Sequence, residues 1–126
     1  MDMTVGIDEK NDRRRDRLFI RAKKLMLDQD DILYIESRAK KVEIHTAGTR
    51  ESMEIYAAMK ELEEQLGQDF YRCHRTCIVN MAYITEYGKD YITLTNGDKV
   101  YMAKKKYGDF AKAYQNYLRD GGVSSV

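Results

Sequence analysis

The sequence predicts a mainly β, α+β domain of short packed, mostly antiparallel sheets, with one amphipathic helix in mid-chain and one C-terminal helix. Three observations carry this. Short apolar runs follow one another through turn residues, and no helix alternates regularly with strand, which favours hairpins over a doubly wound sheet. Asn96-Gly97 separates two such runs and is a strong hairpin signal, since both residue types tolerate positive φ. Helical spacing shows in two stretches, one acidic and one tyrosine-rich. The chain has 126 residues, of which 43% are hydrophobic, enough for one core and too little for two. Proline is absent and there are eight glycines, which argues against a low-complexity chain.

Taken in order, residues 1–16 are polar and aperiodic and read as a tail or linker remnant. The domain is expected over 17–120, with a flexible tail at 121–126. Leu18-Phe19-Ile20-Arg21 and Leu25-Met26-Leu27-Asp28 flank Ala22-Lys23-Lys24 as a hairpin. Asp28 to Asp31 is a turn with capping chemistry. Ile32-Leu33-Tyr34-Ile35-Glu36 starts apolar on both faces and so reads as a central strand. Val42 to Thr46 alternates cleanly, Ala47-Gly48-Thr49 turns the chain, and Arg50 to Ile55 is a weaker strand. Ile55, Met59, Leu62 and Leu66 step by four, three and four, one stripe of a helix that Gly67 ends. Tyr83–Tyr87, Tyr91–Thr95 and Lys99–Met102 read as strands. Tyr107, Phe110, Tyr114 and Tyr117 mark the last helix. The pattern gives about eight strands and two helices.

Net charge is +1, but it is polarised. Seven basic residues fall between Arg13 and Lys24, and those from Arg13 to Arg17 read as a solubilising linker rather than as nonspecific phosphate contacts. Arg38, Lys40 and Lys41 form one further cluster, and Lys104, Lys105 and Lys106 another. Glu54 to Asp69 carries five acids against Lys60. Such a chain can present one strongly positive face to an anionic partner. Cations are unfavourable at a helix N-terminus, so three lysines before the last helix point to an anion that holds them.

The densest chemistry lies in Phe70-Tyr71-Arg72-Cys73-His74-Arg75-Thr76-Cys77-Ile78-Val79-Asn80. Zinc would need four ligands, and the basic neighbours of His74 disfavour a cation. A cysteine nucleophile usually takes its histidine from a distant segment. Basic neighbours favour a thiolate, which makes Cys73 a candidate redox residue, against the default of two buried small hydrophobes. Arginine can donate two parallel hydrogen bonds to guanine, which makes Arg75 the candidate base reader should the anionic partner be DNA. Asn80 reads as a turn-capping amide, and Ile78 and Val79 as the anchor of the loop. Ten tyrosines raise single-stranded nucleic acid as a ligand, but Tyr83, Tyr91, Tyr107, Tyr114 and Tyr117 sit at core-like positions.

Three motifs in register resemble the LytTR DNA-binding domain, the output domain of many bacterial response regulators. They are Asp31-Ile32-Leu33-Tyr34-Ile35-Glu36 with its basic turn and alternating strand, the stretch Phe70 to Asn80, and Leu94-Thr95-Asn96-Gly97-Asp98-Lys99-Val100 with the basic segment and Tyr107 after it. Order and spacing agree over roughly Leu18 to Leu118. The resemblance implies sequence-specific binding of double-stranded DNA through loops that enter successive major grooves, often as two copies on direct repeats. By position it implies three contact loops, holding Arg38, Lys40 and Lys41; His74 and Arg75; and Lys104, Lys105 and Lys106. The family often has serine then arginine where this chain has Lys104 and Lys105. Lysine lacks the two-pronged guanidinium, so that loop is expected to grip phosphate. The first loop has Val42 where the family offers a histidine or arginine, which leaves any reading there to its lysines.

The resemblance also implies an N-terminal receiver domain or other regulatory partner and a place in a two-component system. No cofactor is expected. The sequence shows no pair of carboxylates, glycine-rich phosphate loop or nucleophile triad, so an enzyme is not expected. The alternative reading is a protein-interaction or thiol redox-sensing module. No apolar run reaches a membrane span and no signal peptide is visible, so a cytoplasmic protein with reduced thiols is expected.

Overall fold

A computed structural model of the chain describes residues 17–120, so the predicted tails at 1–16 and 121–126 lie outside the described residues. Strands β1 (Arg17–Ile20) and β2 (Leu25–Asp28) pair as the first hairpin. Five strands form the main sheet: β3 (Ile32–Arg38), β4 (Lys41–Thr46), β5 (Ser52–Ile55), β6 (Phe70–His74) and β7 (Cys77–Asn80). Their spatial order is β5-β4-β3-β7-β6. A second sheet holds β8 (Ile84–Tyr87), β9 (Tyr91–Leu94) and β10 (Lys99–Tyr101), in the order β10-β9-β8. Every strand pairing is antiparallel. Two α-helices complete the fold, α1 (Met59–Gln65) and α2 (Tyr107–Arg119).

The predicted central strand is central, since β3 lies between β4 and β7. Its first four residues are all buried because a core covers each face, and a bulge at Leu33, where the register shifts between Ile32 and Tyr34, puts Leu33 and Tyr34 on the same side. Ile35 therefore faces one core and Tyr34 the other. The first core joins Ile35, Val42, Ile44 and Ile78 to Leu18 and Ile20 of the hairpin and Leu62 of α1. The second joins Tyr34, Cys77 and Val79 to Ile92 and Val100 of the small sheet and Phe110 of α2. The main sheet is thus covered on both faces. Burial of each such aliphatic side chain contributes roughly 1.5–3 kcal/mol.

Two buried amides tie these layers. Gln29 donates to the carbonyls of Arg17 and Gln65, each at 2.9 Å, and accepts from the Gly67 N–H at 3.0 Å. Asn80 donates to the Ile32 carbonyl at 2.9 Å and accepts from the Ala82 N–H at 3.0 Å, so it caps the turn as its position suggested. Asp28 accepts from the Asp30 N–H at 3.0 Å, the expected capping bond.

The structure departs from the pattern in four places. Ile55 ends β5, paired with Val42, and α1 starts only at Met59; strand and helix happen to feed the same core, which mimics one helical stripe. Periodicity assigns no element to Phe70–Asn80, yet it is the β6–β7 hairpin. A bulge between Tyr71 and His74 breaks its alternation. Tyr91 is exposed on β9 rather than part of the core. At Asn96-Gly97 only the glycine takes positive φ, at 93°.

Candidate nucleic-acid interface

Arg75 and Thr76 form the two-residue turn of the hairpin, and His74 ends β6, paired with Cys77. Neither Arg75 nor Thr76 has positive φ, so the turn is held by side chains instead. The Thr76 N–H donates to His74 Nδ1 at 3.2 Å, and Thr76 Oγ1 lies 2.8 Å from the same nitrogen. An Nδ1 that accepts from a backbone N–H carries no proton in the neutral ring. The neutral imidazole proton is therefore assigned to Nε2, as a free donor.

Arg72 braces the same turn. Its guanidinium donates to Glu63 of α1 at 2.7 Å and to the Arg75 carbonyl at 2.6 Å. The Arg75 side chain is left exposed. The bulge accounts for this division of labour. It sets two residues, Arg72 and Cys73, opposite the single Ile78, which turns Arg72 toward α1 and Cys73 into the core.

Two backbone hydrogen bonds bring the other basic segments to this turn. The Ser37 N–H donates to the Thr76 carbonyl at 2.9 Å, and Ser37 adjoins the turn of Arg38, Lys40 and Lys41. The Ala103 N–H donates to the Cys73 carbonyl at 2.9 Å, and Ala103 precedes Lys104. All three predicted segments therefore meet at one end of the main sheet, although some seventy residues separate the first from the last.

The segments differ in how free their charges are. Arg38 lies 4.0 Å from Glu43, a long contact to a mostly buried carboxylate, and Lys41 lies 3.5 Å from Glu54 as an exposed pair of the kind worth little in water. Lys40 has no ion pair among the described residues. Lys104, Lys105 and Lys106 form a 3-10 turn directly before α2 and are all exposed. Tyr71 fixes this turn: its hydroxyl donates to Asp109 in the first turn of α2, and Lys106 Nζ lies 5.9 Å over its ring. Burial, reinforced by the bond to Asp109, raises the Tyr71 pKa, so the hydroxyl keeps its proton.

The thiols lie elsewhere. Cys73 is fully buried, and its thiol donates to the Cys77 carbonyl at 3.9 Å. Its bond with Cys73, and then burial, push the Cys77 thiol up. Basic in sequence is not basic in space here, because the strand sends Cys73 inward and its charged neighbours outward. A redox role favours an exposed, cation-flanked thiol, and both cysteines are buried instead.

Among the described residues, Glu36, Glu43 and His45 could hold a metal, with ligand atoms within 4.8 Å of one another. His45 Nε2 lies 3.4 Å from Glu43 and 3.8 Å from Glu36, and its ring stacks on Tyr34 at 4.1 Å. Neither cysteine nor His74 joins this group. A cleft of about 590 Å³ between Thr46–Arg50 and Thr95–Asp98 contains none of the predicted contact residues.

Comparison with known proteins decides the family. The profile of the LytTr DNA-binding domain matches residues 22–115, most of the chain. The chain belongs to the LytTR DNA-binding domain family. A solved LytTr DNA-binding domain of a response regulator from Bacillus cereus has the same fold, with a TM-score of 0.63 at 21% identity. The match covers 77% of this chain and 93% of that one. No match is found among curated proteins. No described helix of this LytTR domain is long and apolar enough to cross a membrane.

Sequence reasoning missed Arg72, Glu63 and Gln29 as organisers. Arg72 carried no legible signal, since its role depends on the bulge and on where α1 lies. Gln29 sits inside a polar turn and gives no hint of burial.

Proposed function

We propose that this domain binds double-stranded DNA sequence-specifically, as the output domain of a bacterial transcription regulator. The observation that supports it most is the meeting of three basic segments through the Ser37–Thr76 and Ala103–Cys73 backbone bonds. Arg75, exposed and with its backbone braced by Arg72, reads base edges in the major groove. His74 offers its Nε2–H to a phosphate or base acceptor. Lys40 and the Lys104–Lys106 turn grip phosphates, helped by the free N–H groups at the start of α2. Arg38 and Lys41 join them by exchanging weak carboxylate pairs for phosphate. One domain covers one repeat of a direct pair, a second copy covers the other, and a receiver domain supplies the input.

Substitution separates reading from gripping. Arg75→Ala should cost about 1–3 kcal/mol on the best site and flatten the ranking among sites. Lys105→Ala should weaken all sites alike and lower the salt slope by about 1. An unchanged ranking of sites in Arg75→Ala, measured by titration of several duplexes, would remove Arg75 as the reader.

A further inference from the structure

We propose that Tyr101, backed by Tyr91, is an additional specificity-determining DNA contact that receives the 5-methyl group of a thymine beside the base pair read by Arg75. The proposal rests on the DNA-binding reading above.

Alternation along β10 sends Val100 into the core, together with Met102 just beyond the strand, and turns Lys99 and Tyr101 outward. Tyr101 is 62% exposed and Tyr91, its cross-strand partner, 47%. Their rings stack with centroids 5.7 Å apart at 29°. A cation and a second aromatic ring lie against this pair, while Glu86 and Asp90 line the depression beyond Tyr91. Lys99 Nζ lies 5.7 Å over the Tyr91 ring, and the His74 ring lies 6.3 Å from Tyr101.

Position is what distinguishes Tyr101 from an ordinary surface tyrosine. It lies two residues before Ala103, whose N–H is bonded to the Cys73 carbonyl. It therefore sits between the Arg75–Thr76 turn and the Lys104–Lys106 turn. The other aromatic rings of this half of the molecule, Tyr87, Tyr107, Phe110, Tyr114 and Tyr117, serve the second core. Tyr91 and Tyr101 do not, and a cross-strand pair needs only part of each ring to hold its register.

The chemistry of the occupant follows. An exposed apolar surface with Lys99 against it and two basic turns near Tyr101 fits a partner that is anionic and offers an apolar group among its charges. Duplex DNA does this in the major groove, where the thymine methyl is the apolar feature of an otherwise polar edge. The ring faces supply the contact and the hydroxyls stay wet.

Replacing thymine by deoxyuridine removes that methyl and keeps the base pair. The test uses the tightest duplex found for the wild-type chain, with each thymine replaced in turn. Wild type should lose about fourfold in affinity at one thymine, the effect of burying a single methyl group. That thymine should neighbour the position where Arg75→Ala relaxes preference. Tyr101→Ala should bind the thymine and deoxyuridine duplexes equally, while Tyr101→Phe keeps the difference. If Tyr101→Ala retains the wild-type ratio, or no thymine is methyl-sensitive, the inference fails while DNA binding stands. Tighter binding of the single strand than of the duplex would also overturn it, since the rings would then be stacking bases. Failure of the wild-type chain to bind any duplex would instead sink the functional reading beneath it.

Discussion

At the scale of single residues, the turn proposed to contact DNA depends on side chains outside the proposed contact set. Arg72 is the clearest case, because one guanidinium holds α1 through Glu63 and the turn through the Arg75 carbonyl. Arg72→Ala frees that carbonyl and loosens Arg75, and Glu63→Ala removes half of the brace. Both substitutions should lower DNA affinity, by about tenfold for Arg72→Ala and less for Glu63→Ala. A preorganised turn predicts that the loss appears mainly as faster dissociation, measurable by surface binding kinetics. Unchanged affinity in Arg72→Ala would mean that the turn holds its shape without the brace. The residues proposed as contacts stand out in the sequence, because cations and a histidine between apolar anchors form a local pattern. The brace was not, because it joins β6 to α1 through a bulge that no periodicity announces. Cys73 shows the converse: adjacent arginine and histidine suggested an activated thiol, and strand geometry removed it from solvent.

Among the elements, the strands were legible where one face is wet, as in β4 and in the β9–β10 hairpin around Asn96-Gly97. They were illegible where a bulge interrupts the period, as in β6. The helix α1 was overextended because Ile55, a strand residue, shares the core of Met59 and Leu62. The turn between β3 and β4 holds a local conflict that can be tested. Ala39 adopts a left-handed backbone, φ 53°, which a side chain resists. Ala39→Gly should stabilise the domain by about 1 kcal/mol in urea denaturation. It should leave the DNA site ranking unchanged, since the neighbouring cations stay. Destabilisation instead would show that the loss of unfolded-state restriction outweighs the relief of strain.

For the whole molecule, a tyrosine-rich second core sets the response to alkali. Burial, with Asp69, Tyr114 and Asp30 nearby, pushes Tyr117 up to about 12 from its usual 10.0. Tyr34 is also raised, by burial first and then by its bond to Asp98, and Tyr71 is raised as well. Unfolded chains release these protons near pH 10, while the folded state holds them. Stability from these groups is therefore complete below about pH 9 and is lost as pH climbs from about 10 to 12. Urea midpoints across that range should fall steadily, and a flat profile to pH 12 would contradict the buried, protonated tyrosines. On the functional side, the sequence places three basic segments far apart along the chain, and the Ser37–Thr76 and Ala103–Cys73 backbone hydrogen bonds help to gather them. That gathering is the central claim, because it turns scattered cations into one surface. Its most direct test is selection of bound sequences from random duplex DNA by the wild-type chain at near-physiological salt. A defined consensus with a fixed guanine, lost when Arg75→Ala is selected in parallel, is the predicted result. Recovery of no consensus by the wild-type chain would contradict it.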